Sequence, residues 1–234
     1  TEADRLVPSF GSGPRAGILP GSGHYPRQDF IAILQYAHRR HIEVIPEIDL
    51  PGHSRAAIKA MEARYSRLSA AGEEEAADEF RLVDPEDTSQ YRSVQGWNDN
   101  VVNVCQASTY RFIEKVVDEL RAMYAEAGVP LTTVHTGGDE VPSGVWAGSP
   151  VCRTLMEAQG IENPRELTYH FLSRVAEMLS ARGLTLAGWE EIGLTGSTHD
   201  AVAGKAPNPE FADRGFLAYI WNAVAGWGAE EMGY

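Results

Sequence analysis

Residues 134–142, VHTGGDEVP, place two adjacent carboxylates behind a histidine and a glycine pair at the end of an apolar run. Asp139 and Glu140 carry like charges, and like charges at neighbouring positions repel each other. Acidic side chains are almost never buried unless they are paired. The pair therefore needs a chemical or structural reason, which the surrounding sequence supplies.

Apolar segments alternate with helix-like segments along the whole chain. Short runs rich in β-branched and apolar residues predict buried strands over 42–48, 131–135, 184–189 and 216–221. Amphipathic spacing predicts helices over 26–40, 108–126 and 166–182, with shorter helices over 208–213 and near Glu230. The alternation predicts an α/β fold with parallel strands and crossover connections.

Acids, a histidine and tryptophans follow these predicted strands directly. The strand ends read PEIDLPGH, HTGGDE, GWEE and YIWN. In parallel α/β folds the chemistry lies at the carboxyl ends of the strands. A hydrophobic core has no need of such residues. The sequence therefore predicts one shared pocket at this edge of the sheet.

The residue types in this pocket indicate sugar chemistry. Indole faces pack on pyranose rings, and carboxylates handle glycosidic oxygens. A retaining glycosidase that uses an enzyme nucleophile needs two carboxyls about 5 Å apart, on opposite sides of the bond. Neighbouring side chains leave a strand on opposite faces unless the glycines distort its end. We therefore predict that Glu140 protonates the leaving oxygen while Asp139 holds a substrate group that is itself the nucleophile.

Three segments carry a resemblance to a known family. HTGGDE (135–140), EVIPEIDLPGH (43–53) and GWEE (188–191) resemble the family-20 glycoside hydrolases, the β-N-acetylhexosaminidases. Residues 61–95 are similar to an insertion of the bacterial chitobiase branch. The resemblance implies a (β/α)8 TIM barrel, here an incomplete one covering about strands three to six. Residues 1–234 would be the central part of the catalytic barrel, with a long insertion at about 54–107.

The resemblance also implies a reaction. A terminal, non-reducing β-linked N-acetylhexosamine of chitobiose or a chito-oligosaccharide would be hydrolysed with retention, its own 2-acetamido oxygen acting as nucleophile. Asp139 would orient and stabilise the acetamido N–H, and Glu140 would serve as general acid and then as base. No cofactor and no metal are implied. The other residues expected at the substrate-binding site are Trp189 and Trp221 as walls of the acetamido pocket, Asp49 and His53 beside Glu140, and His135 in support.

The family pattern extends beyond this chain. A sugar-binding arginine and further acids are expected before Thr1, and Tyr-x-Asp and Trp-x-Glu motifs after Tyr234. The chain opens TEADRL, without an initiator methionine. We therefore expect it to be a piece of a longer protein.

Simpler or different functions remain as alternatives. Asp49 would be a helix cap and His53 a packed histidine, the tryptophans would be core residues, and Glu190 and Glu191 are predicted as loop acids. A metal-dependent hydrolase would use Asp49, His53, His135 and Asp139, but the chain has no closely spaced His-x-His pair. The alternative to the hydrolase is a catalytically inactive fragment or a glycan-binding remnant of such an enzyme.

Composition limits the partners. The formal net charge of −13 disfavours nucleic acid and anionic membranes, which bind clusters of Lys and Arg. The expected partner is a small amino-sugar oligosaccharide, and the oligomeric state is left open. Cys105 and Cys152 fit either one disulfide or two buried thiols. We expect an exported bacterial protein, periplasmic or extracellular.

Overall fold

The computed structural model describes residues 25–195, 206–207 and 215–220. The described chain divides into two compact units. The first contains residues 25–45, 54–83 and 106–131, and the second contains 46–53, 84–105 and the described residues from 132 onward. The predicted helices over 208–213 and near Glu230 lie outside the described residues.

The first unit is helical. Its helices are α1 (Arg27–His38), α2 (Arg55–Ala70), α3 (Glu74–Asp78) and α4 (Ala107–Ala127). Helix α4 buries one face and ends at Gly128, whose φ of 69° gives the left-handed C-cap. The structure confirms α1 and α4, whereas α2 and α3 fall in the region predicted only as an insertion. None of the helices among the described residues is long and apolar enough to cross a membrane.

The second unit contains a parallel sheet. Strands β1 (Thr133–His135), β2 (Thr185–Trp189) and β5 (Leu217–Tyr219) pair in the order β1-β2-β5, and β3 (Leu194–Thr195) pairs antiparallel with β4 (Ala206–Pro207). Helices α5 (Pro150–Gln159) and α6 (Leu167–Ser180) connect the first two parallel strands, with a 3-10 turn at Pro164–Glu166 between the two helices. A second 3-10 turn, Glu190–Gly193, follows β2. Helix α6 is held by five buried side chains: Leu167, Phe171, Leu172, Val175 and Leu179.

The predicted strand over 42–48 is wrong as a strand. In the part of this segment that belongs to the second unit, a single parallel bridge forms, between Glu47 and His135. The Ile48 N–H donates to the His135 carbonyl at 2.9 Å, and the His135 N–H donates to the Pro46 carbonyl at 3.0 Å. Pro46 has no N–H to extend the ladder, so the segment follows β1 without becoming a regular strand.

A disulfide and a buried polar network hold residues 84–105 against α5. Cys105 and Cys152 are joined, with their Cα atoms 5.1 Å apart, which decides between the two predicted states of the cysteines. Asn103 donates to the Ser149 hydroxyl at 3.0 Å, and Ser149 donates to Asp84 at 2.6 Å. All three polar side chains belong to buried residues. These contacts fix both ends of the segment 84–105, which leads toward the carboxyl ends of the strands.

Candidate active site

The two adjacent acids meet on one histidine. The His53 Nε2 atom lies 3.4 Å from an Asp139 carboxylate oxygen and 3.3 Å from a Glu140 carboxylate oxygen. Glu140 has a φ of 50°, in the left-handed region that side chains larger than glycine rarely adopt. The distorted strand end therefore turns both carboxylates toward the same point, although a regular strand would separate them. Backbone strain of this kind is concentrated at functional sites.

The glycine pair makes this turn possible. Gly137 and Gly138 have φ values of 65° and 92°. A side chain on Gly137 would overlap the Asp49 carboxyl, and one on Gly138 would overlap Ile192. The Gly138 N–H donates to Asp49 Oδ1 at 3.3 Å. The missing side chain of Gly137 thus leaves room for the Asp49 carboxyl beside the turn, and that of Gly138 leaves room for Ile192.

Asp49, His53 and Asp139 differ in their protonation because their pKa values are shifted in different directions. Burial, helped by the Asp139 charge, raises the pKa of Asp49 to about 8. The hydrogen-bonding contact with Asp139 raises the pKa of His53 to about 9, against the effect of burial. At 3.4 Å this contact is better described as an ion pair, which acts in the same direction. Burial opposes ionisation of Asp139, but contacts with His53 and Asp49 outweigh it and lower its pKa. Near neutral pH, Asp49 is protonated, His53 is cationic and Asp139 is anionic.

The raised pKa of His53 predicts a pH-dependent stability. Between its ordinary pKa of 6.5 and its folded pKa of about 9, the folded state holds more protons than the unfolded state. The free energy of unfolding must therefore fall as pH rises through that window. We expect Tm of the full-length protein to fall more steeply between pH 6.5 and 9 than Tm of His53→Gln. Asp49, Asp139 and Glu140 face His53 and remain in the variant.

His170→Gln is the control for this measurement. Burial lowers the pKa of His170, so its removal should not flatten the alkaline decline. Parallel Tm profiles of wild type and His53→Gln, measured by scanning calorimetry, would contradict the assignment of a cationic His53.

Gln95 is a contact that sequence analysis missed. Its side-chain amide donates to the Glu140 carboxylate at 2.9 Å, across 45 residues. Gln95 lies in the segment predicted as an insertion, within a run that carries no catalytic motif. The local sequence pattern could not predict this contact, because it forms only when residues 84–105 fold over the carboxyl ends of the strands. The bond fixes the rotamer of the predicted acid.

Removing this amide should impair Glu140. We expect Gln95→Leu to lower kcat/KM by up to about tenfold, since a typical intramolecular hydrogen bond contributes about 0.5–1.5 kcal/mol. Steady-state hydrolysis of a chromogenic N-acetylglucosaminide measures the effect. Gln90→Leu is the matched control, because Gln90 is exposed and its amide donates to the nearby Thr88 carbonyl at 3.2 Å. Equal rates for the two variants would show that Gln95 does not position Glu140.

Trp189 is part of an aromatic cluster at the same strand ends. The His135 ring lies edge-on to Trp189, with centroids 4.9 Å apart, and edge-on to Tyr219 at 5.1 Å. His135 is buried, whereas 39% of Tyr219 is exposed. Tyr219 was not singled out from sequence, although strand β5 pairs it directly with Trp189. Trp221, predicted as a second wall of the acetamido pocket, lies outside the described residues.

Glu190 and Glu191, predicted as loop acids, lie in the 3-10 turn after β2, where both residues are buried. One alternative is contradicted. Asp49 is not a helix cap, since the N-cap position of α2 is Ser54. The Asp49 carboxyl instead lies against the glycine turn.

Three of the four residues of the metal alternative come together. One ligand atom each from Asp49, His53 and Asp139 lies within 4.8 Å of the others. His135 is not part of this group, since its Nδ1 atom faces the Glu47 carboxylate and the Gly137 amide. These three residues are the candidate metal ligands of the described chain. The absence of a metal from the reaction stays a prediction.

Comparison with known proteins shows the family of this chain. The sequence model of Glycosyl hydrolase family 20, catalytic domain, matches residues 12–232. A Beta-hexosaminidase of Vibrio vulnificus is 40% identical over 233 residues, covering 97% of this chain and 26% of the relative. An N,N'-diacetylchitobiase of Vibrio harveyi is 39% identical over 220 residues, covering 81% and 25%. The chain therefore belongs to glycosyl hydrolase family 20.

Solved structures agree on the fold. An exo-β-N-acetylglucosaminidase of Vibrio harveyi, in complex with N-acetylglucosamine, has a TM-score of 0.70 and 33% identity over 94% of this chain and 29% of its own. A β-N-acetylhexosaminidase of Bacteroides fragilis has a TM-score of 0.61 and 25% identity over 96% and 36%. The predicted class, part of a (β/α)8 barrel, is confirmed. The chain spans about a quarter of the length of the curated relatives, and the numbering of its strands as three to six and the 54–107 insertion stay predictions.

Proposed function

We propose that the protein containing this chain hydrolyses terminal, non-reducing β-linked N-acetylhexosamine from chitobiose or chito-oligosaccharides, by a substrate-assisted retaining mechanism. One observation carries the proposal: Asp139 and Glu140 converge on His53 from one strand end. Two carboxylates on the same side of a pocket do not flank a glycosidic bond, as a nucleophile and an acid must. The nucleophile is then supplied by the substrate.

The two adjacent acids have different roles in the proposed reaction. Asp139 is anionic and held by His53, so it accepts a hydrogen bond from the acetamido N–H. Its charge also stabilises the positively charged cyclic intermediate that forms when the acetamido oxygen attacks the anomeric carbon. Glu140, held by Gln95, transfers its proton to the leaving oxygen and later takes one from water. The protonated Asp49 keeps a further negative charge away from the pair. Trp189 provides an indole wall beside the turn, in support of an acetamido pocket.

The test compares two substrates on the full-length protein. Hydrolysis of a p-nitrophenyl N-acetyl-β-glucosaminide is expected, with kcat/KM far above that of the β-glucoside, which lacks the acetamido group. Comparable rates on both would contradict substrate assistance and favour an enzyme nucleophile. No hydrolysis of either, with binding of N-acetylglucosamine retained, would favour the glycan-binding alternative. The N-acetylgalactosaminide measures the choice between the two hexosamines.

We also propose that the protein is exported by a bacterium. The Cys105–Cys152 disulfide supports this, since such bonds persist in oxidising compartments. Without reductant, thiol titration of the denatured protein should detect neither cysteine, and activity should appear in the periplasmic or extracellular fraction of the native host. Two free thiols and cytosolic activity would overturn the proposal. The net charge of −13 supports the absence of nucleic-acid and membrane partners.

A further inference from the structure

One buried imidazole joins three parts of the site. The His135 backbone bonds to Pro46 and Ile48, in the segment that leads to Asp49. Its Nδ1 atom accepts a hydrogen bond from the Gly137 N–H at 3.2 Å, at the turn before Asp139. Its ring makes T-shaped contacts with the rings of Trp189 and Tyr219. Only 5% of His135 is exposed, so a direct contact with a sugar is not its main role.

Two contacts of Nδ1 compete, and they require different protonation. The Gly137 N–H needs a lone pair on Nδ1, whereas the Glu47 carboxylate, 3.4 Å away, would need a proton there. The Gly137 bond is shorter and meets hydrogen-bond geometry, while the Glu47 side chain is 42% exposed and solvated. We therefore assign the proton to Nε2 and the acceptor to Nδ1. The local bond from residue 137 back to 135 bends the chain where Gly137 has its φ of 65°.

We propose that His135 is a positioning residue with two separable actions. Its Nδ1 atom fixes the conformation of the turn that carries Asp139, and its ring fixes the orientation of the Trp189 indole. This rests on the proposed function and adds to it the way in which the acid pair and the pocket wall are kept in register. Trp189 is also tied to the turn through its own N–H, which donates to the Gly137 carbonyl at 2.9 Å. Edge-to-face aromatic contacts favour one ring orientation, so loss of the His135 ring releases the indole.

Two substitutions separate the actions. His135→Asn places an amide oxygen near the Nδ1 position and keeps an acceptor for Gly137, but it removes the ring. His135→Phe keeps a ring against Trp189 and Tyr219, but it leaves the Gly137 N–H without its acceptor. Tyr219→Ala should act like His135→Asn, because it removes the second ring of the cluster. Tyr219→Phe is the matched control, since it keeps the ring.

The readouts are steady-state kinetics and the binding of N-acetylglucosamine to the full-length protein. For His135→Asn we expect KM and the Kd of N-acetylglucosamine to rise by about tenfold, with a small change in kcat. For His135→Phe we expect kcat to fall by about ten- to a hundredfold with Kd nearly unchanged, as for a displaced catalytic group. Loss of folded protein alone would lower the apparent kcat of both variants and would leave KM and Kd unchanged.

The outcomes are distinct. Changes in the same parameter for both variants, or in neither, would overturn the two-action proposal. If His135→Phe does not fold, His135→Asn and Tyr219→Ala still test the ring: unchanged Kd in both would overturn it. If the wild type has no hydrolase activity, the proposed function fails, and the Kd changes still decide whether the His135 ring sets Trp189.

Discussion

Glu140→Gln is expected to lower kcat for N-acetylglucosaminide hydrolysis by about 10²–10⁴-fold, the range for loss of a general acid–base group. Glutamine keeps the size of the side chain and an oxygen for the Gln95 amide, so the local structure should persist. It cannot supply the proton that the leaving oxygen needs. The loss should be larger for a saccharide leaving group than for an activated aryl group, which departs without much protonation.

Steady-state kinetics with chitobiose and with a dinitrophenyl N-acetylglucosaminide measure this difference. Glu62→Gln is the matched control, because Glu62 is an exposed acid that forms an ion pair with Lys59 at 2.9 Å on the surface of α2. A Glu140→Gln variant that cleaves chitobiose at the wild-type rate would remove Glu140 from the proton transfer.

Asp139→Asn is expected to lower kcat by about 10²–10³-fold, the cost of losing one electrostatic contact to a developing charge. The amide keeps the shape but loses the charge that stabilises the cyclic intermediate. Here the loss should be similar for activated and unactivated leaving groups, because the impaired step is the attack of the acetamido oxygen. The leaving-group dependence thus separates the roles of the two adjacent acids.

The same substitution has a second expected effect. Asp139 is the main reason that the pKa of His53 is raised, so His53 should titrate at lower pH in Asp139→Asn. NMR titration of the imidazole measures this shift directly. Asp118→Asn, at an exposed ion pair on α4, is the control for a surface charge change. Near wild-type kcat in Asp139→Asn would show that Asp139 has no part in the chemistry.

Much of the fold was predictable, because periodicity reports burial. Helices α1, α4 and α6 and strands β1, β2 and β5 follow from their apolar spacing. The segment 42–48 has a strand-like composition, yet a single proline stops its ladder. Helix α2 consists mostly of good helix formers, but its place in the chain predicted only an insertion.

The candidate site was predictable in its chemical groups and not in its contacts. The motif around Asp139 and Glu140 indicates which acids are present, because the chemistry requires those groups in that order. Their approach to His53 depends on positive φ values at three of the four turn positions 137–140: Gly137, Gly138 and Glu140. Gln95 reaches Glu140 from 45 residues away, a distance over which no local pattern carries information.

The division follows from the range of the forces involved. Strand and helix types, the strand-end acids and the need for two glycines are properties of short segments, so they can be read along the chain. The proton on Asp49, the charge on His53 and the contacts of the His135 ring depend on burial and on distances between segments. Electrostatic energies change steeply with both, and only the folded chain sets them.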